Sequence, residues 1–268
     1  MIVRPPAVAN QFYDGDPVGL RRMIAGMMPR GVIPQPALAA ISPHAGYIYS
    51  GKVAAEVFAR VVVPENVVIL GPNHTGYGAR GAVMAHGIWD MPFGQVPIAS
   101  DLASMILAGS AVLQEDVKAH LHEHSLEVQV PFLQYLQPAL RIVPICLGHL
   151  EPEECQEVAA AVISAISSYP APVLMVASTD MSHYLPAQTA EQLDRLAIER
   201  ILALDPDGLY NTVRSYGISM CGYIPTAVVL HACKGIGATE AELVTYCNSG
   251  DVSGDYSQVV GYAGFVVR

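Results

Sequence analysis

The stretch ISPHAGYIYSG, residues 41–51, joins two segments of different character and sets the fold that the rest of the chain follows. The apolar run Pro36–Ile41 leads into it, and the helix-like run Lys52–Phe58 follows it. Between them stands His44, with a proline and a glycine close by. A buried strand that passes through a short loop into a helix is the repeating unit of α/β proteins. We therefore predict a strand–loop–helix unit that carries an imidazole on its loop.

The same arrangement occurs twice more along the chain. VVILGPNHTGYG, residues 67–78, places His74 after a second apolar run, and VLMVASTDMSHY, residues 173–184, places Asp180 and His183 after a third. In a parallel α/β sheet, the loops at the carboxyl ends of the strands form the ligand crevice. A single loop histidine is ordinarily a surface or capping residue, whereas its repetition at successive strand ends indicates a site. We expect these side chains to meet at one edge of the sheet.

Composition limits the classes of protein to which the chain can belong. Its 268 residues are 52% hydrophobic and only 14% charged, which is enough for a large core. The formal net charge of −10, with scattered Lys and Arg, argues against nucleic-acid binding and against a membrane-surface site. No apolar run reaches the length of a membrane span, and the N-terminus lacks a secretory signal pattern. The five cysteines form no CxxC pair, which favours a reducing cytoplasm over a disulfide framework.

Strand and helix signals alternate, which predicts a single α/β domain over residues 1–268 with a largely parallel central sheet flanked by helices. The stretch 81–98 is expected to form an inserted hairpin with Gly94 near its turn. The predicted strands are Leu38–Ile41, Val67–Leu70, Arg141–Leu147, Val173–Ala177, Leu243–Cys247 and Val259–Val267. The predicted helices are Lys52–Val61, Asp101–Leu107, Ser125–Leu136, Glu153–Ser167, Thr189–Leu204 and Pro225–Lys234.

Two further segments carry residues that can join the cluster. HLHEHSLEVQ, residues 120–129, places His124 at the start of a predicted helix. SMCGYIP, residues 219–225, places Cys221 just before another predicted helix. Taken alone, Cys221 would be a small buried side chain, but its position beside a helix start matches the other loops.

The other histidines and cysteines receive structural assignments. His120 and His122 alternate with a leucine and a glutamate and are expected to lie in a solvated loop. The remainder lack motif context and are expected to be core, structural or surface residues: His86, His149, His231, Cys146, Cys155 and Cys233.

Histidine, cysteine and aspartate in one cluster predict metal chemistry. Neutral imidazole and thiolate bind divalent transition metals well, and two histidines with one cysteine leave coordination positions open. The remaining His and Asp could orient ligands or act as acid and base. A Ser/His/Asp hydrolase is the competing interpretation, but the GxSxG motif is absent, so Ser178, Ser182 or Ser219 would have to serve without it. The GxGxxG and GxxxxGKS/T motifs are absent too, so nucleotide binding has no support.

Seven motifs spread along the chain resemble those of the Memo family, whose microbial members are called AmmeMemoRadiSam system protein B. The resemblance extends from one end of the chain to the other. It implies a fold shared with the class III extradiol dioxygenases, which are non-haem iron enzymes that open catechol rings. The motifs are RPPAVANQFY (4–13), SPHAGYIYSG (42–51), GPNHTG (71–76), EHSLEVQVPFL (123–133), STDMSHY (178–184), MCGYIP (220–225) and SGDVSGDYSQVVGYAG (249–264).

The resemblance also implies a metal site. By position, His44, His74 and Cys221 match the metal ligands of the family. The extradiol dioxygenases hold iron with two histidines and one carboxylate, whereas the third position here is a cysteine. A thiolate donates more charge and is oxidisable, so ring cleavage does not carry over directly. The expected metal is Fe(II), with Cu or Zn as alternatives.

Three more residues match the lining of the family's pocket. These are Asp180, His183 and His124. In a catalytic interpretation, His183 and His124 transfer protons, and Asp180 orients one of them by a hydrogen bond to the ring or to a neighbouring amide. The microbial proteins of the family are linked to a radical-SAM protein and a third small protein, which are therefore the implied partners.

Three functional hypotheses remain open at this point. The first is an iron-dependent redox enzyme that acts on an unidentified small molecule. The second is a non-catalytic protein that binds a metal or a partner on a dioxygenase-like scaffold. The third is a hydrolase in which the metal activates water. An open metal position beside a cavity would favour the first, whereas four protein ligands would favour the second.

Overall fold

Nine strands form the main sheet of the computed structural model, which describes residues 2–268. Every residue of its middle strands β2 and β3 is buried, so both faces of the sheet are covered there. Three short strands form a second sheet. The strands in chain order are β1 (Val3–Arg4), β2 (Ala39–Ser42), β3 (Asn66–Pro72), β4 (Gly81–Val83), β5 (Ile88–Met91), β6 (Gly94–Pro97), β7 (Gln114–Glu115), β8 (Arg141–Leu147), β9 (Val173–Ser178), β10 (His183–Leu185), β11 (Ala241–Asn248) and β12 (Val259–Val267).

The centre of the main sheet is parallel and its flanks are largely antiparallel. Strands β2, β9, β3 and β8 run side by side in one direction. Strand β12 pairs antiparallel with β2, and β4 pairs antiparallel with β8. Strand β11 lies antiparallel to β12, because the connection over residues 249–258 is shorter than the crossover that a parallel pair needs. The predicted α/β fold with a parallel centre is confirmed, and the whole sheet is mixed.

Helices pack against the sheet, with α2 beside β2 and β12 and α8 beside β3 and β9. None of the helices between residues 2 and 268 is both long enough and apolar enough to cross a bilayer. The helices are α1 (Pro17–Met27), α2 (Tyr47–Phe58), α3 (Ser100–Ala108), α4 (Val130–Leu136), α5 (Pro152–Ser168), α6 (Ala187–Leu202), α7 (Pro206–Tyr216), α8 (Tyr223–Gly235) and α9 (Gly250–Ser253), with 3-10 turns at Lys118–His120 and Glu127–Gln129.

Helices α1 and α7, and the four-residue α9, lie outside the set predicted from the sequence. Helices α1 and α7 each begin at an Asp-Pro pair whose aspartate caps the helix. The side chain of Asp16 accepts from the Gly19 amide at 2.7 Å, and that of Asp205 accepts from the Gly208 amide at 2.9 Å. Proline is favoured in the first helical turn. These caps are local signals that the sequence itself carries.

Helix α2 begins closer to His44 than predicted. It spans Tyr47–Phe58 rather than Lys52–Val61. The amide of Tyr47 donates to the backbone oxygen of Phe12 at 2.7 Å, so the N-terminal segment anchors the first helical turn. A contact between segments so far apart in sequence cannot be predicted from the local pattern of apolar residues.

The hairpin predicted over residues 81–98 is correct only in its second half. Strands β5 and β6 pair antiparallel around Gly94, whose φ of 110° favours glycine. Strand β4 instead joins the main sheet beside β8. Gly87, with a φ of 111°, turns the chain between β4 and β5 and so separates the two parts.

A buried ion pair joins the N-terminal segment to the turn before α4. Arg4 Nη1 donates to Glu127 Oε2 at 2.6 Å, and both side chains are fully buried. The guanidinium also donates to the backbone oxygens of His120 and Glu123, at 2.6 and 2.7 Å. It lies 4.1 Å from the centroid of the Trp89 ring. These bonds leave the buried cation well satisfied, which is the condition for tolerating it in a core.

Glu127 extends this anchor along the N-terminal segment. Its carboxylate oxygens accept from the Ala7 amide at 2.7 Å, the Val8 amide at 3.0 Å and the Tyr13 hydroxyl at 2.6 Å. The start of the chain is thereby tied to the segment 120–127.

We expect Arg4→Met to lower the free energy of unfolding by about 3–5 kcal/mol, because it leaves the buried carboxylate of Glu127 without its counter-ion. Arg195→Met is the matched control. It breaks a pair with Glu191 in which the two side chains are 69% and 56% exposed, and it should cost less than about 1 kcal/mol. Urea unfolding of both variants measures the difference. A loss at Arg4 no larger than that at Arg195 would contradict the anchoring role.

The placement of His120 corrects the expectation of a solvated loop. Its side chain is fully buried, and its backbone oxygen accepts from Arg4 Nε at 2.6 Å. Neither ring nitrogen has a hydrogen-bond partner within residues 2–268, and the ring lies 6.2 Å from that of Trp89. Burial, reinforced by the charge of Arg4, lowers the pKa of His120 to about 3. His122 is exposed, as predicted.

Protonation of His120 should contribute to unfolding in acid. Its folded-state pKa lies below the unfolded value of about 6.5, so its contribution to stability is complete above that pH and is lost as the pH falls. His120→Leu should therefore flatten the dependence of stability on pH between about pH 6 and pH 4, by up to ~1.4 kcal/mol per pH unit. Urea unfolding at several pH values measures the slope. His149→Leu, at an exposed histidine, should retain the wild-type slope, and an equal slope in both variants would refute the assignment.

Candidate metal centre

His44, His74 and Cys221 meet at the carboxyl edge of the main sheet. One nitrogen or sulfur atom of each lies within 4.8 Å of those of the other two. The closest recorded contact joins His44 Nε2 to Cys221 Sγ at 3.3 Å, and the two imidazole centroids are 5.2 Å apart. His44 follows β2 and His74 follows β3, and β9 lies between these strands. The structure thus brings together the three residues that the sequence proposed as ligands.

Cys221 reaches this point because Gly222 lets the turn before α8 approach the end of β9. A Cβ atom on Gly222 would lie 2.3 Å from the Ser178 backbone oxygen. The Gly222 amide donates to Thr179 Oγ1 at 3.0 Å, and Cys221 Sγ accepts from the Asp180 amide at 3.2 Å. Any larger residue at 222 would push the thiol away from the imidazoles. The sequence analysis missed Gly222, although its place between the cysteine and a helix start was a usable signal.

Glu123 holds His74 in place, and it too was missed. Its Oε1 accepts from His74 Nδ1 at 2.9 Å, and its Oε2 accepts from the His74 backbone amide at 2.6 Å. Burial alone would raise the pKa of Glu123, but the bonds from His74 and from the Ser125 amide hold it at about 2. An ionised carboxylate can only accept, so Nδ1 carries the proton and Nε2 is the free nitrogen of His74. Only 1% of the Glu123 side chain is exposed, in contrast to the solvated loop predicted here.

His44 is buried and uncharged. Its Nδ1 lies 2.9 Å from Ser178 Oγ. Burial, together with the imidazoles of His124 and His74, lowers the pKa of His44 well below its ordinary value. Neutral imidazole is the form that binds metals, so the environment keeps this ring ready to act as a ligand.

Asp180 lies behind the His44 loop. Its Oδ1 accepts from the His44 backbone amide at 2.7 Å, which fixes the loop that carries the ring. Burial raises the pKa of Asp180 to about 6, against the lowering effect of that amide. Burial also raises the pKa of the Cys221 thiol, and the Asp180 carboxylate adds to this effect. Of the two bonds expected for Asp180, the one to an amide is present.

Ser219 orients His183. The backbone oxygen of Ser219 lies 2.9 Å from His183 Nδ1, and the His183 amide donates to Ser219 Oγ at 2.8 Å. A carbonyl oxygen can only accept, so in the neutral ring Nδ1 carries the proton and Nε2 is free. The next residue, Tyr184, has a φ of 57° and sits in the irregular pairing between β10 and β12. Such a conformation is uncommon for a bulky residue, and it turns the strand at the mouth of the site.

His124 packs against the ring of His74. The two rings are nearly parallel, with centroids 4.6 Å apart, and Phe12 lies on another side at 4.9 Å. Burial lowers the pKa of His124, and the Glu123 carboxylate opposes that effect. His74, Glu123 and His124 form a second group whose possible ligand atoms lie close enough together to bind one metal ion. Both oxygens of Glu123 already accept from His74, so this group supports the first one rather than forming a separate site.

A cavity of about 330 Å³ opens over the imidazoles. This volume lies in the range of small-molecule sites. Cys221 lines a neighbouring cavity of about 220 Å³. Three other cavities of similar volume carry no histidine or cysteine among their described residues. The larger cavity over the imidazoles is lined by Phe12, His44, Ala45, Gly46, His74, His124, Asp180, His183, Tyr184, Val260 and Tyr262.

Comparison with known proteins agrees with the resemblance that the motifs indicate. A family model described as Memo-like protein matches residues 4–266. The chain belongs to the Memo family. MEMO1 family proteins of Methanopyrus kandleri, Methanothermobacter thermautotrophicus and Aquifex aeolicus are 46%, 43% and 42% identical to it. Each alignment covers at least 98% of both chains, and every position of the cluster lies within the range that the family model matches.

Glu123→Gln should lower the affinity of this Memo protein for Zn(II) about 10–100-fold, because an amide holds the Nδ1 proton of His74 less firmly than a carboxylate does. Calorimetric titration of the reduced protein with Zn(II) measures the change. Glu191→Gln, at a side chain that is 56% exposed, is the control and should bind like the wild type. Equal affinities in both variants would show that Glu123 does not support a ligand.

Proposed function

We propose that this Memo protein holds a divalent transition metal, Fe(II) in the cell, with His44, His74 and Cys221 as its ligands. The supporting observation is the convergence of two imidazoles and a free thiol at one point beneath a cavity. Metal–nitrogen bonds of about 2.0 Å and metal–sulfur bonds of about 2.3 Å would place N and S roughly 3.5 Å apart around a tetrahedral ion. The 3.3 Å between His44 Nε2 and Cys221 Sγ fits that spacing.

The donor set favours a reactive centre over a structural one. In the part of the chain that the structure describes, the group has three members, which leaves at least one coordination position for another molecule. Fe(II) would supply one-electron redox chemistry there. Imidazole and thiolate also suit Cu and Zn.

His183 is the proton-transfer residue of the proposed reaction. Its Nδ1 is held by the Ser219 backbone oxygen, so its Nε2 can accept a proton from a molecule in the cavity and return it. It lies outside the three-ligand group, so this nitrogen is not needed for the metal. His124 is the second proton carrier, and Asp180 acts by holding the loop of His44.

The proposed substrate is a small molecule that is oxidised within the cavity of about 330 Å³, with dioxygen as the electron acceptor. Phe12, Val260 and Tyr262 give this cavity apolar walls that exclude water from part of the bound molecule. A serine hydrolase fits the site poorly. Ser178 and Ser182 are fully buried, so neither hydroxyl can meet a substrate. Ser219 is exposed, but its hydroxyl accepts from the His183 backbone amide, and the His183 ring contacts the Ser219 backbone oxygen instead of the hydroxyl. The metal-dependent hydrolase remains the second candidate, since the same three ligands could hold Zn(II).

Metal analysis of protein purified without oxygen tests the proposal. Wild-type protein should carry close to one iron per chain, and His44→Ala or Cys221→Ala should lose most of it. Zinc in place of iron would favour the hydrolase, and a metal-free protein would end the proposal. Unchanged iron in Cys221→Ala would show that Cys221 is not a ligand and that its role is packing.

Iron content and the rate of iron oxidation together distinguish a proton-transfer role of His183 from a role as a metal ligand. His183→Ala should retain near-normal iron, whereas the rate at which oxygen oxidises the bound iron should lose its dependence on pH. His149→Ala, at an exposed histidine, should retain both properties. Loss of iron from His183→Ala as complete as that from His44→Ala would make His183 a ligand.

A further inference from the structure

We propose that Ser178 and Gln129 are positioning residues that lock His44 into the tautomer with its proton on Nδ1, so that Nε2 faces Cys221 as a free electron pair. The inference rests on the proposed metal site for its meaning, but its structural basis is independent of any metal. Ser178 Oγ contacts three groups: His44 Nδ1 at 2.9 Å, Gln129 Nε2 at 2.8 Å and the Ser125 backbone oxygen at 2.6 Å. A hydroxyl has one proton to give, so the direction of each bond must be worked out.

The amide of Gln129 has only one consistent orientation. Its Nε2 lies 2.9 Å from the Pro43 backbone oxygen and 3.3 Å from that of Ser42. An oxygen in this place would face two carbonyl oxygens, so the group must be the NH₂. Gln129 therefore donates to Ser178 Oγ and occupies one of its two acceptor positions.

The hydroxyl of Ser178 must then donate its hydrogen bond to the backbone oxygen of Ser125. The Ser125 backbone oxygen is an acceptor only, and it lies 2.6 Å from Ser178 Oγ. If the hydroxyl turned toward His44 instead, this buried oxygen would lose its donor, which is unfavourable for a group shielded from water. Because the Ser178 hydroxyl donates its only hydrogen to the Ser125 backbone oxygen, Ser178 Oγ can only accept from His44. Nδ1 of His44 therefore carries the ring proton.

The locked tautomer decides whether His44 can bind a metal. Its Nε2 lies 3.3 Å from Cys221 Sγ, on the side where the three donor atoms meet. In the other tautomer an N–H group would occupy this side and block the ligand position. The bond network thus prepares the site in the absence of any ion.

Gln129 has one buried polar atom without a hydrogen-bond partner in the described part of the chain, and its proposed role explains why a polar residue occupies this position. Its Oε1 is buried and has no hydrogen-bond partner among residues 2–268. An apolar side chain of similar length would avoid this unpaired oxygen. It would also lose the donors to Ser178 and to the loop that carries His44.

Long-range proton–nitrogen NMR spectra of the metal-free, ¹⁵N-histidine-labelled protein test the lock directly. The His44 signals are assigned by their loss in His44→Gln. Wild-type His44 should be protonated at Nδ1, and Ser178→Ala should convert it to a mixture or to the other tautomer. Ser178→Thr, which keeps the hydroxyl, should restore the wild-type spectrum. A wild-type ring protonated at Nε2 would overturn the proposal, even if none of the variants folds.

Zn(II) affinity, measured on the same proteins, connects the lock to the metal. Ser178→Ala should bind Zn(II) about 10–100-fold more weakly than the wild type. Ser182→Ala is the matched control, because Ser182 is a fully buried serine four residues away whose hydroxyl has no partner in residues 2–268. It should change neither the tautomer nor the affinity. An unchanged tautomer and affinity in Ser178→Ala would refute the lock. If wild-type protein bound neither Zn(II) nor Fe(II), the metal proposal would fail, while the tautomer measurement would still decide the lock.

Discussion

The buried ion pair between Arg4 and Glu127 is the constraint on which the rest of the structure depends. Two charges without water are tolerated only when their remaining hydrogen-bonding groups are satisfied, and here backbone groups from both partner segments satisfy them. The segment 120–129 is therefore held in one conformation. That segment supplies Glu123 and Gln129, which orient the two histidines of the proposed metal centre. An electrostatic contact near the start of the chain thus sets the geometry of a site built on the sheet.

Three chemically different acceptors orient three of the four imidazoles of the site. Glu123 offers a carboxylate, Ser178 a hydroxyl and Ser219 a backbone oxygen. Each acceptor fixes the direction of its ring, although the three lie on different parts of the chain. The proposed proton carrier His183 has an uncharged partner, whereas His74 has a charged one.

The parallel strands and the loop residues that follow them could be predicted because both depend on local pattern. An apolar run predicts a buried strand, and the rule for strand ends then brings His44, His74 and Asp180 to one edge. The burial of His120 and Glu123 could not be predicted, since it depends on Arg4, more than a hundred residues away in sequence. Gly222 left a local signal in its place between Cys221 and a helix start, but the close approach that requires a glycine appears only when two distant turns are in contact. The contact of Ser178 with His44 could not be predicted for the same reason.

The sequence distance between the clustered side chains also shapes how the protein is made. His44 and Cys221 are 177 residues apart, and Arg4 and Glu127 are 123 apart. Closing such long loops is slow, because their entropy is lost before the contacts form. During synthesis both histidines leave the ribosome well before the cysteine. The growing chain would therefore offer only two of the three donors of the proposed metal centre until Cys221 is made, and selective metal uptake would be a property of the finished fold.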